Sequence, residues 1–427
     1  MPGFPLPNCA LGVATAATQI EGGDLDTNWH RWAASGGISD GSTPARAADH
    51  WNRVDQDVAL LADLGVRHYR LGLEWARLEP EPGVFDPEAF AHYRDELALL
   101  REAGITPLVT LHHFSLPGWH VDTGGWLGAD AVAVFLRFVG EVVRRLGDLA
   151  SEWITINEPN VYATQGYLYG VWPPGERSYR RTVAVLQVLV EAHLRAYLLI
   201  HRLQPHATVG LAHHLRVFTP AQARNPADRA STLASRYLFQ DAVLAATSTG
   251  RSAGPLRVPR DLRPGRYADV HGINYYTRST IRGFDHGVAD GVEVNDLGWE
   301  VYPAGLVEVA TQVYRRFPAP LWITENGTCD NDDRFRARYV YEHLARIAAS
   351  PLPIERYYHW CFTDNWEWAE GEVARFGLVH LDFDTQERQV KESGLFYADV
   401  IAHAGVTEEA HRRWVAGRHY PRNGAPR

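Results

Sequence analysis

Two short apolar segments that each end in a glutamate constrain the fold of this chain more than any other feature. Residues 153–160 read W-I-T-I-N-E-P-N, and residues 321–327 read L-W-I-T-E-N-G. Each has the β-branched, apolar composition of a buried strand, with polar residues at its carboxyl end. The two glutamates, Glu158 and Glu325, are 325 − 158 = 167 residues apart, so only a fold that gathers strand ends can bring them together. A parallel barrel does this at a single mouth.

Six further segments have the same strand-like composition, and helical patterns separate them. Between the first two, for example, residues 51–65 carry apolar side chains at helical spacing and end at a glycine. Eight strands alternating with helices predict a single (β/α)8 TIM barrel over residues 1–427, with extended loops at its C-terminal mouth. The predicted strands are residues 10–17 (running on to a glycine turn at 22), 68–73, 105–111, the segment from 153, 208–212, 270–275, 321–324 and 357–362.

Two long segments, residues 220–264 and 283–303, lie between predicted strands. The first is rich in Arg, Ala and Pro and has a helix-like centre at residues 230–243, and the second follows the sixth strand. Neither has the composition of a second domain or of a low-complexity linker. We expect both to be barrel loops, with the second forming part of the mouth.

Composition and charge narrow the class of ligand. The net charge is −9, and the acidic residues are interspersed with Arg, which argues against nucleic acid or a membrane as a partner. Cys9, Cys329 and Cys361 are widely spaced and indicate buried reduced thiols, with no metal site and no cofactor. We find no signal-peptide pattern and no window that approaches a membrane span. We therefore expect a cytoplasmic protein that binds a small neutral molecule; the sequence leaves its oligomeric state open.

Two facing carboxylic acids can cleave a glycosidic bond, and further motifs accompany the two glutamates along the chain. Together and in this order they resemble the retaining β-glycosidases of glycoside hydrolase family 1, over essentially the whole chain. Besides the two glutamate segments, the matching motifs are A-T-A-A-T-Q-I-E-G at 14–22, R-L-G-L-E-W-A-R at 70–77, T-L-H-H at 110–113, G-G-W-L at 124–127, G-I-N-Y-Y at 272–276 and D-N-W-E-W-A-E-G at 364–371.

The resemblance implies a role for each residue of the site. Glu158 would be the general acid/base, for which we expect a raised pKa, and Glu325 would be the nucleophile. Arg70 and Tyr276 would flank Glu325 and keep it ionised. From the pattern alone, Arg70 and Asn274 could equally satisfy buried polar groups. The implied substrate-binding residues are Gln19, His113, Asn157 (on the sugar 2-hydroxyl), Asn274, Tyr276, Trp360, Glu367 and Trp368.

The chain also departs from the family pattern. Phe114 stands where a tryptophan is usual, Trp366 replaces a phenylalanine, and Glu372 replaces an aromatic residue. These changes bear on sugar fit and on the leaving-group side. Trp368 is retained and no phosphate-binding cluster is evident near Lys391, which disfavours a phosphorylated substrate.

The expected function is an exo-acting β-glycosidase that releases a terminal glucose-like unit and tolerates β-galactosides and β-fucosides. A transglycosylase would share every residue of the site. A non-catalytic sugar-binding barrel would keep Trp360 and Trp368 as aromatic walls of the sugar site but would not need both glutamates. An endo-acting barrel hydrolase is a further alternative.

Overall fold

Eight parallel strands close into one barrel in the computed structural model, which describes residues 2–283 and 285–424. Each strand pairs with the next along the chain, and the eighth pairs with the first. Consecutive pairing of this kind places all eight carboxyl ends at the same mouth, which confirms the predicted fold class. The strands are β1 (Ala10–Ala14), β2 (His68–Gly72), β3 (Thr106–Thr110), β4 (Glu152–Asn157), β5 (Thr208–His214), β6 (Val270–Asn274), β7 (Leu321–Asn326) and β8 (Ile354–Trp360).

Eight main helices follow the strands and cover the barrel. The second of them shows how the sequence sets their limits: Asp86 accepts hydrogen bonds from the backbone N–H groups of Glu88 and Ala89, Pro87 occupies the first turn, and Gly104, with φ 72°, follows the end. The helices are α1 (Val54–Asp63), α2 (Pro87–Glu102), α3 (Ala131–Leu146), α4 (Tyr179–Leu203), α5 (Ala242–Thr249), α6 (Ala304–Arg316), α7 (Arg336–Ala348) and α8 (Glu392–Ala402).

The described chain carries further elements outside the barrel strands and these eight helices. The additional strands are Phe4–Pro5, Val217–Pro220, Arg278–Arg282, Asp285–Gly287, Val379–Leu381, Arg388–Val390 and Gly405–Val406. The additional helical segments are Ala17–Ile20, Asn28–Ala34, His50–Asn52, Trp75–Leu78, Gly118–Asp122, Gly125–Leu127, Pro159–Ala163, Thr164–Tyr169, Pro226–Arg236, Tyr237–Asp241, Trp368–Glu370, Glu408–Ala410 and His411–Val415.

The first strand is shorter than the sequence predicts. It ends at Ala14, and Ala17–Ile20 forms one turn of helix where we expected the strand to continue. The backbone here crosses closely over β2, since a Cβ placed on Gly72 would lie 3.0 Å from the backbone nitrogen of Ala17. Small residues permit this crossing, and alanine favours helix once strand pairing ends.

Helix α4 corrects a second expectation. By length and composition alone it could cross a membrane, with a mean hydropathy of 1.6, so the expectation that no window approaches a span was wrong. In the fold, 56% of this apolar window is buried, and the helix packs against α3 and β4. A helix that packs on the core of a protein needs apolar residues along its buried side, and this explains the apolar composition of α4.

The core lies between the strands and the helices. Trp75, Trp126 and Trp153 are no more than 1% exposed and are packing residues of this core. Inside the barrel, the layer of side chains next to the C-terminal mouth is polar and includes Arg70, Thr110 and Thr324, which are completely buried. A polar layer beneath the mouth is where side chains can hold catalytic groups in place.

Candidate active site

The carboxyl ends of β4 and β7 bring Glu158 and Glu325 to the same cavity, which has a volume of about 150 Å³. Both side chains are buried, with residue exposures of 5% and 3%. The separation of 167 residues in sequence is therefore closed by the barrel, as predicted. Of the other predicted residues, five line the same cavity: His113, Tyr276, Trp360, Glu367 and Trp368.

The backbone at the cavity is locally strained. Glu158 has φ 41° and ψ 60°, a left-handed conformation that non-glycine residues rarely adopt. Phe114 and Trp368, which also line the cavity, have φ values of 66° and 48°. Each such conformation costs about 1–3 kcal/mol and is found mainly where function requires a side chain in a fixed place.

Glu325 is held by two donors. Arg70 Nη1 lies 2.5 Å from Glu325 Oε1, and the Tyr276 hydroxyl donates to Oε2 at 2.6 Å. Arg70 is completely buried and also donates to the Thr110 hydroxyl and to the Asn157 side-chain oxygen. The predicted flanking residues therefore contact the predicted nucleophile directly, and both of its oxygens are engaged.

Asn274 connects the two glutamates through a continuous chain of hydrogen bonds. Its Nδ2 donates to Asn157 Oδ1 at 3.0 Å and to Glu158 Oε1 at 2.8 Å, while its own Oδ1 accepts from Thr324. Its side chain is completely buried, and it does not line the cavity. Asn274 thus orients Glu158 from behind, although the resemblance had suggested contact with substrate.

Two residues that the sequence did not single out complete the surroundings of Glu158. His214 Nδ1 lies 3.0 Å from Glu158 Oε1, and Arg216 Nε donates to His214 Nε2 at 2.8 Å. Because a guanidinium can only donate, His214 Nε2 accepts, and the ring proton is on Nδ1, where it is donated to Glu158. Glu158 Oε2 accepts no hydrogen bond from residues 2–283 or 285–424, so it is the oxygen available to carry a proton.

The pKa values of the two glutamates do not follow the order expected from the sequence. Burial raises the pKa of Glu325 to about 7, although Arg70 and Tyr276 act in the opposite direction. Burial also acts to raise the pKa of Glu158, but His214, Asn274 and Arg216 outweigh it and lower that pKa. The expected raised pKa of Glu158 was therefore wrong for the substrate-free site, because the sequence did not reveal the histidine and arginine behind it.

Beside Glu367, two buried polar side chains are left with an unpaired atom. Gln19 Nε2 donates to Glu367 Oε2 at 3.0 Å, and His113 Nε2 accepts from Asn157 Nδ2 at 2.9 Å. Gln19 Oε1 and His113 Nδ1 have no partner within the described residues. Buried polar atoms are normally paired, so a ligand with hydroxyl groups would satisfy this acceptor and this donor.

Glu367 lies among aromatic side chains. Burial raises its pKa to about 8, against the hydrogen bonds that it accepts from Gln19 and Trp360. A carboxyl group that stays protonated near neutral pH can donate as well as accept. Glu367 can therefore bond hydroxyl groups in both senses.

The three departures from the family pattern have different positions. Phe114 lies 5.2 Å, ring to ring, from Trp368 and 5.0 Å from Trp172, and all three line the cavity. Trp366 is buried against Trp368 at 6.2 Å. Glu372 pairs with Arg46 at 2.5 Å and does not line the cavity. Only the Phe114 change thus alters the cavity wall.

Comparison with known proteins decides the family. A family model described as "Glycosyl hydrolase family 1" matches residues 5–252 and 266–406. The chain belongs to glycosyl hydrolase family 1. The family membership expected from the sequence motifs is confirmed, and the chain is a glycoside hydrolase.

Relatives and solved structures from this family match along almost the full length of the chain. "Beta-glucosidase A" of Thermotoga maritima is 31% identical, over 93% of this chain and 97% of the relative. "Beta-galactosidase" of Saccharolobus solfataricus is 28% identical, over 95% and 97%. The structure of the T. maritima β-glucosidase in complex with glucoimidazole has a TM-score of 0.88 at 28% identity and covers 95% of this chain and 100% of that one. The β-glycosidase from Pyrococcus horikoshii has a TM-score of 0.87 at 33% identity, with 96% and 98% covered.

Proposed function

We propose that this family 1 enzyme is a retaining, exo-acting β-glycosidase that releases single glucose-like units from the non-reducing end of its substrates. The observation that carries the proposal is the pair of glutamates on one cavity, each oriented by its own set of donors. T. maritima and S. solfataricus relatives named β-glucosidase and β-galactosidase support the same class of substrate.

The first step requires an ionised nucleophile and a protonated acid. Glu325 attacks the sugar carbon while Arg70 and Tyr276 hold both of its oxygens, so its attacking lone pair is oriented before substrate arrives. Glu158 gives the proton on Oε2 to the leaving oxygen. Its other oxygen keeps its hydrogen bonds to Asn274 and His214 throughout.

The second step reverses these roles for Glu158. As a carboxylate it takes a proton from water while the water oxygen attacks the sugar carbon. The bond between that carbon and Glu325 breaks, which regenerates the Glu325 carboxylate and restores the original configuration. Asn157 is completely buried and, like Asn274, does not line the cavity. Arg70 and Asn274 hold its Oδ1, and its Nδ2 donates to the lining residue His113, so we propose that the amide reaches the sugar 2-hydroxyl only when a sugar occupies the cavity.

The exo mode of action is supported by the size of the cavity. At about 150 Å³ it is smaller than pockets for drug-sized ligands, which are about 300–1,000 Å³. His113, which lines the cavity, and Gln19, which donates to the lining residue Glu367, each have a buried polar atom without a partner in the described residues. A cavity of this volume accommodates a single terminal sugar, whereas an internal unit of a chain would need space on both of its sides.

A stereochemical experiment tests this mechanism. We expect the first sugar released from an aryl β-glucoside to be the β-anomer, as followed by NMR before mutarotation. Glu325→Gln should abolish turnover in folded protein, since it removes the attacking charge at nearly constant volume. Glu370→Gln is the matched control, because Glu370 lines the same cavity but is exposed. Early α-anomer, or activity in folded Glu325→Gln protein, would exclude the mechanism.

We further propose that the glycone site tolerates epimers. Glu367 stands where the family binds the 4- and 6-hydroxyl groups, and its raised pKa lets it meet a hydroxyl as donor or acceptor. Glucosides, galactosides and fucosides should then be hydrolysed within about two orders of magnitude of each other in kcat/KM, which is about 3 kcal/mol or less. A far lower kcat/KM for the 4-nitrophenyl β-galactoside than for the β-glucoside would contradict this tolerance.

We also propose a cytoplasmic location. The support is that Cys9, Cys329 and Cys361 are all buried and unpaired, as is usual for proteins in a reducing compartment. Activity measured in fractionated source cells tests the location, and recovery outside the cytoplasmic fraction would refute it.

A further inference from the structure

Arg216 is a cation in the active-site cavity whose charge is not neutralised by direct contact. Its Nε donates to His214, and it lines the cavity together with Glu158. Among residues 2–283 and 285–424, no carboxylate oxygen lies within 4.0 Å of its guanidinium, and neither Nη group has a hydrogen-bond partner. The terminal Nη1/Nη2 pair is the edge of the guanidinium that fits a carboxylate with two parallel hydrogen bonds.

The position of Arg216 assigns it to the leaving-group side. It is joined through His214 to Glu158, the residue that protonates the leaving oxygen. The groups that await sugar hydroxyls, Gln19 and His113, make no described contact with it. A ligand group that reaches Arg216 therefore belongs to the part of the substrate beyond the cleaved bond.

Arg216 together with the aromatic lining of the same cavity suits a ligand with an apolar body and a negative end. The guanidinium lies 5.2 Å above the ring of Phe239. Trp172, Leu297 and Trp299 line the cavity and are partly exposed, unlike the buried Trp360. Partly exposed indole rings at a cavity mouth offer flat surfaces on which a planar ring can stack.

The titratable groups near Arg216 do not fully compensate its positive charge, so an anion could bind there. Burial lowers the pKa of Arg216, and Glu158 and Tyr169 only partly oppose this. The nearby His286 has its pKa lowered by its own burial and by Arg216, so it adds no second cation near neutral pH. A partly buried cation without a contacting counter-ion is costly, and a substrate carboxylate would relieve that cost.

We propose that Arg216 binds a carboxylate on the leaving group, and that the preferred substrates are β-glycosides of planar aromatic acids. The inference rests on the proposed function, since it takes Glu158 to be the acid/base. It adds a substrate class that follows from Arg216, Trp172 and Trp299 rather than from the two glutamates.

The test compares charged and neutral leaving groups of the same shape. The probes are the 2-, 3- and 4-carboxyphenyl β-glucosides and the three corresponding carbamoylphenyl β-glucosides, and kcat/KM is measured for each in wild type and in Arg216→Gln. For each ring position and each protein, kcat/KM for the acid is divided by kcat/KM for the amide. The wild-type ratio is then divided by the Arg216→Gln ratio, and differences in leaving-group acidity cancel in this quotient. We expect this quotient to be at least tenfold for one or more ring positions, and Arg216→Lys to recover part of it.

Two controls separate the possible causes. Arg282→Gln removes the same charge from an exposed position outside the cavity, and it should leave the acid-to-amide ratio unchanged. If Arg216 only orients His214, Arg216→Gln will lower kcat/KM for acids and amides by the same factor. That result, or a quotient near one at all three ring positions, overturns the proposal. Failure to cleave any of the glucosides, neutral ones included, would instead refute the proposed function.

Discussion

Replacing Arg70 with methionine tests the central electrostatic claim about the site. Arg70 is completely buried and contacts Glu325 at 2.5 Å and Asn157 at 2.7 Å. Methionine fills much of the same space but supplies neither charge nor donors. Within residues 2–283 and 285–424, the Tyr276 hydroxyl would then be the one remaining hydrogen-bond partner of the Glu325 carboxylate.

The size of the effect follows from the cost of an uncompensated charge. Removing one member of a buried ion pair typically costs about 3–5 kcal/mol. Burial already raises the pKa of Glu325 to about 7, and without Arg70 it must rise further. A carboxyl group whose pKa is raised on folding contributes stability that is complete below its unfolded pKa and is lost as pH rises through its folded pKa. The stability gap between wild type and Arg70→Met should therefore widen from about pH 5 to about pH 8.

The measurement is urea unfolding of four proteins at both pH values: wild type, Arg70→Met, Glu325→Gln and the double variant. Glu325→Gln removes the charge, so the double variant should be more stable than Arg70→Met at about pH 8, with a coupling energy of about 2–3 kcal/mol. A gap that does not change with pH, together with no coupling, would refute the reasoning. The loss would then come from packing and neutral hydrogen bonds alone.

Three further predictions concern proton transfer and packing. kcat/KM should fall as pH rises through about 7, where the glutamate pair loses its last proton; a pH–rate profile on an aryl glucoside that is flat to about pH 9 would contradict this. Glu158→Ala should be slow on poor leaving groups, and azide should restore turnover of activated glucosides and yield a β-glycosyl azide, detectable by NMR; no adduct despite folded protein would count against the acid/base role. Gly327→Ala places a Cβ 1.8 Å from the Trp360 carbonyl oxygen and should lower the free energy of unfolding in urea by at least about 2 kcal/mol. In the control Gly287→Ala the Cβ lies in open space, and the free energy of unfolding should stay within about 0.5 kcal/mol of wild type. Equal stability of the two variants would refute the packing argument.

The barrel could be predicted because its strands carry a local signal. The apolar runs ending at Asn157 and Asn326 are buried along their length, and the sequence alone located both. The prediction that the first strand continues to Ala17 was wrong. The backbone at Ala17 passes close to Gly72 of β2, and we attribute the end of the strand to this tertiary contact, which the local sequence does not reveal. Within the segment 283–303, of which residue 284 lies outside the described residues, Leu297 and Trp299 line the cavity, as expected for a loop that forms part of the mouth.

Much of the site could be predicted by family resemblance, but its electrostatics could not. Two histidines were visible at the end of β5, yet nothing in the sequence indicated that His214 would contact Glu158, 56 residues earlier. Arg216 is one of many arginines in the chain, and only the fold places it in the cavity. For the same reason the expected direction of the Glu158 pKa shift was wrong.

The two glutamates differ in how an arginine reaches each of them, and this difference fits their assigned roles. Arg70 contacts Glu325 directly, and with Tyr276 it occupies both carboxylate oxygens, so a proton can be added only at the expense of a donor. Arg216 reaches Glu158 through a neutral His214 that donates to one oxygen, and Oε2 is left open to the cavity. A proton on Oε2 displaces nothing and lies where a leaving group must accept it. When substrate excludes water from the cavity, the single proton that the pair retains below pH 7 therefore has its productive place on Glu158, even though the substrate-free pKa values favour Glu325.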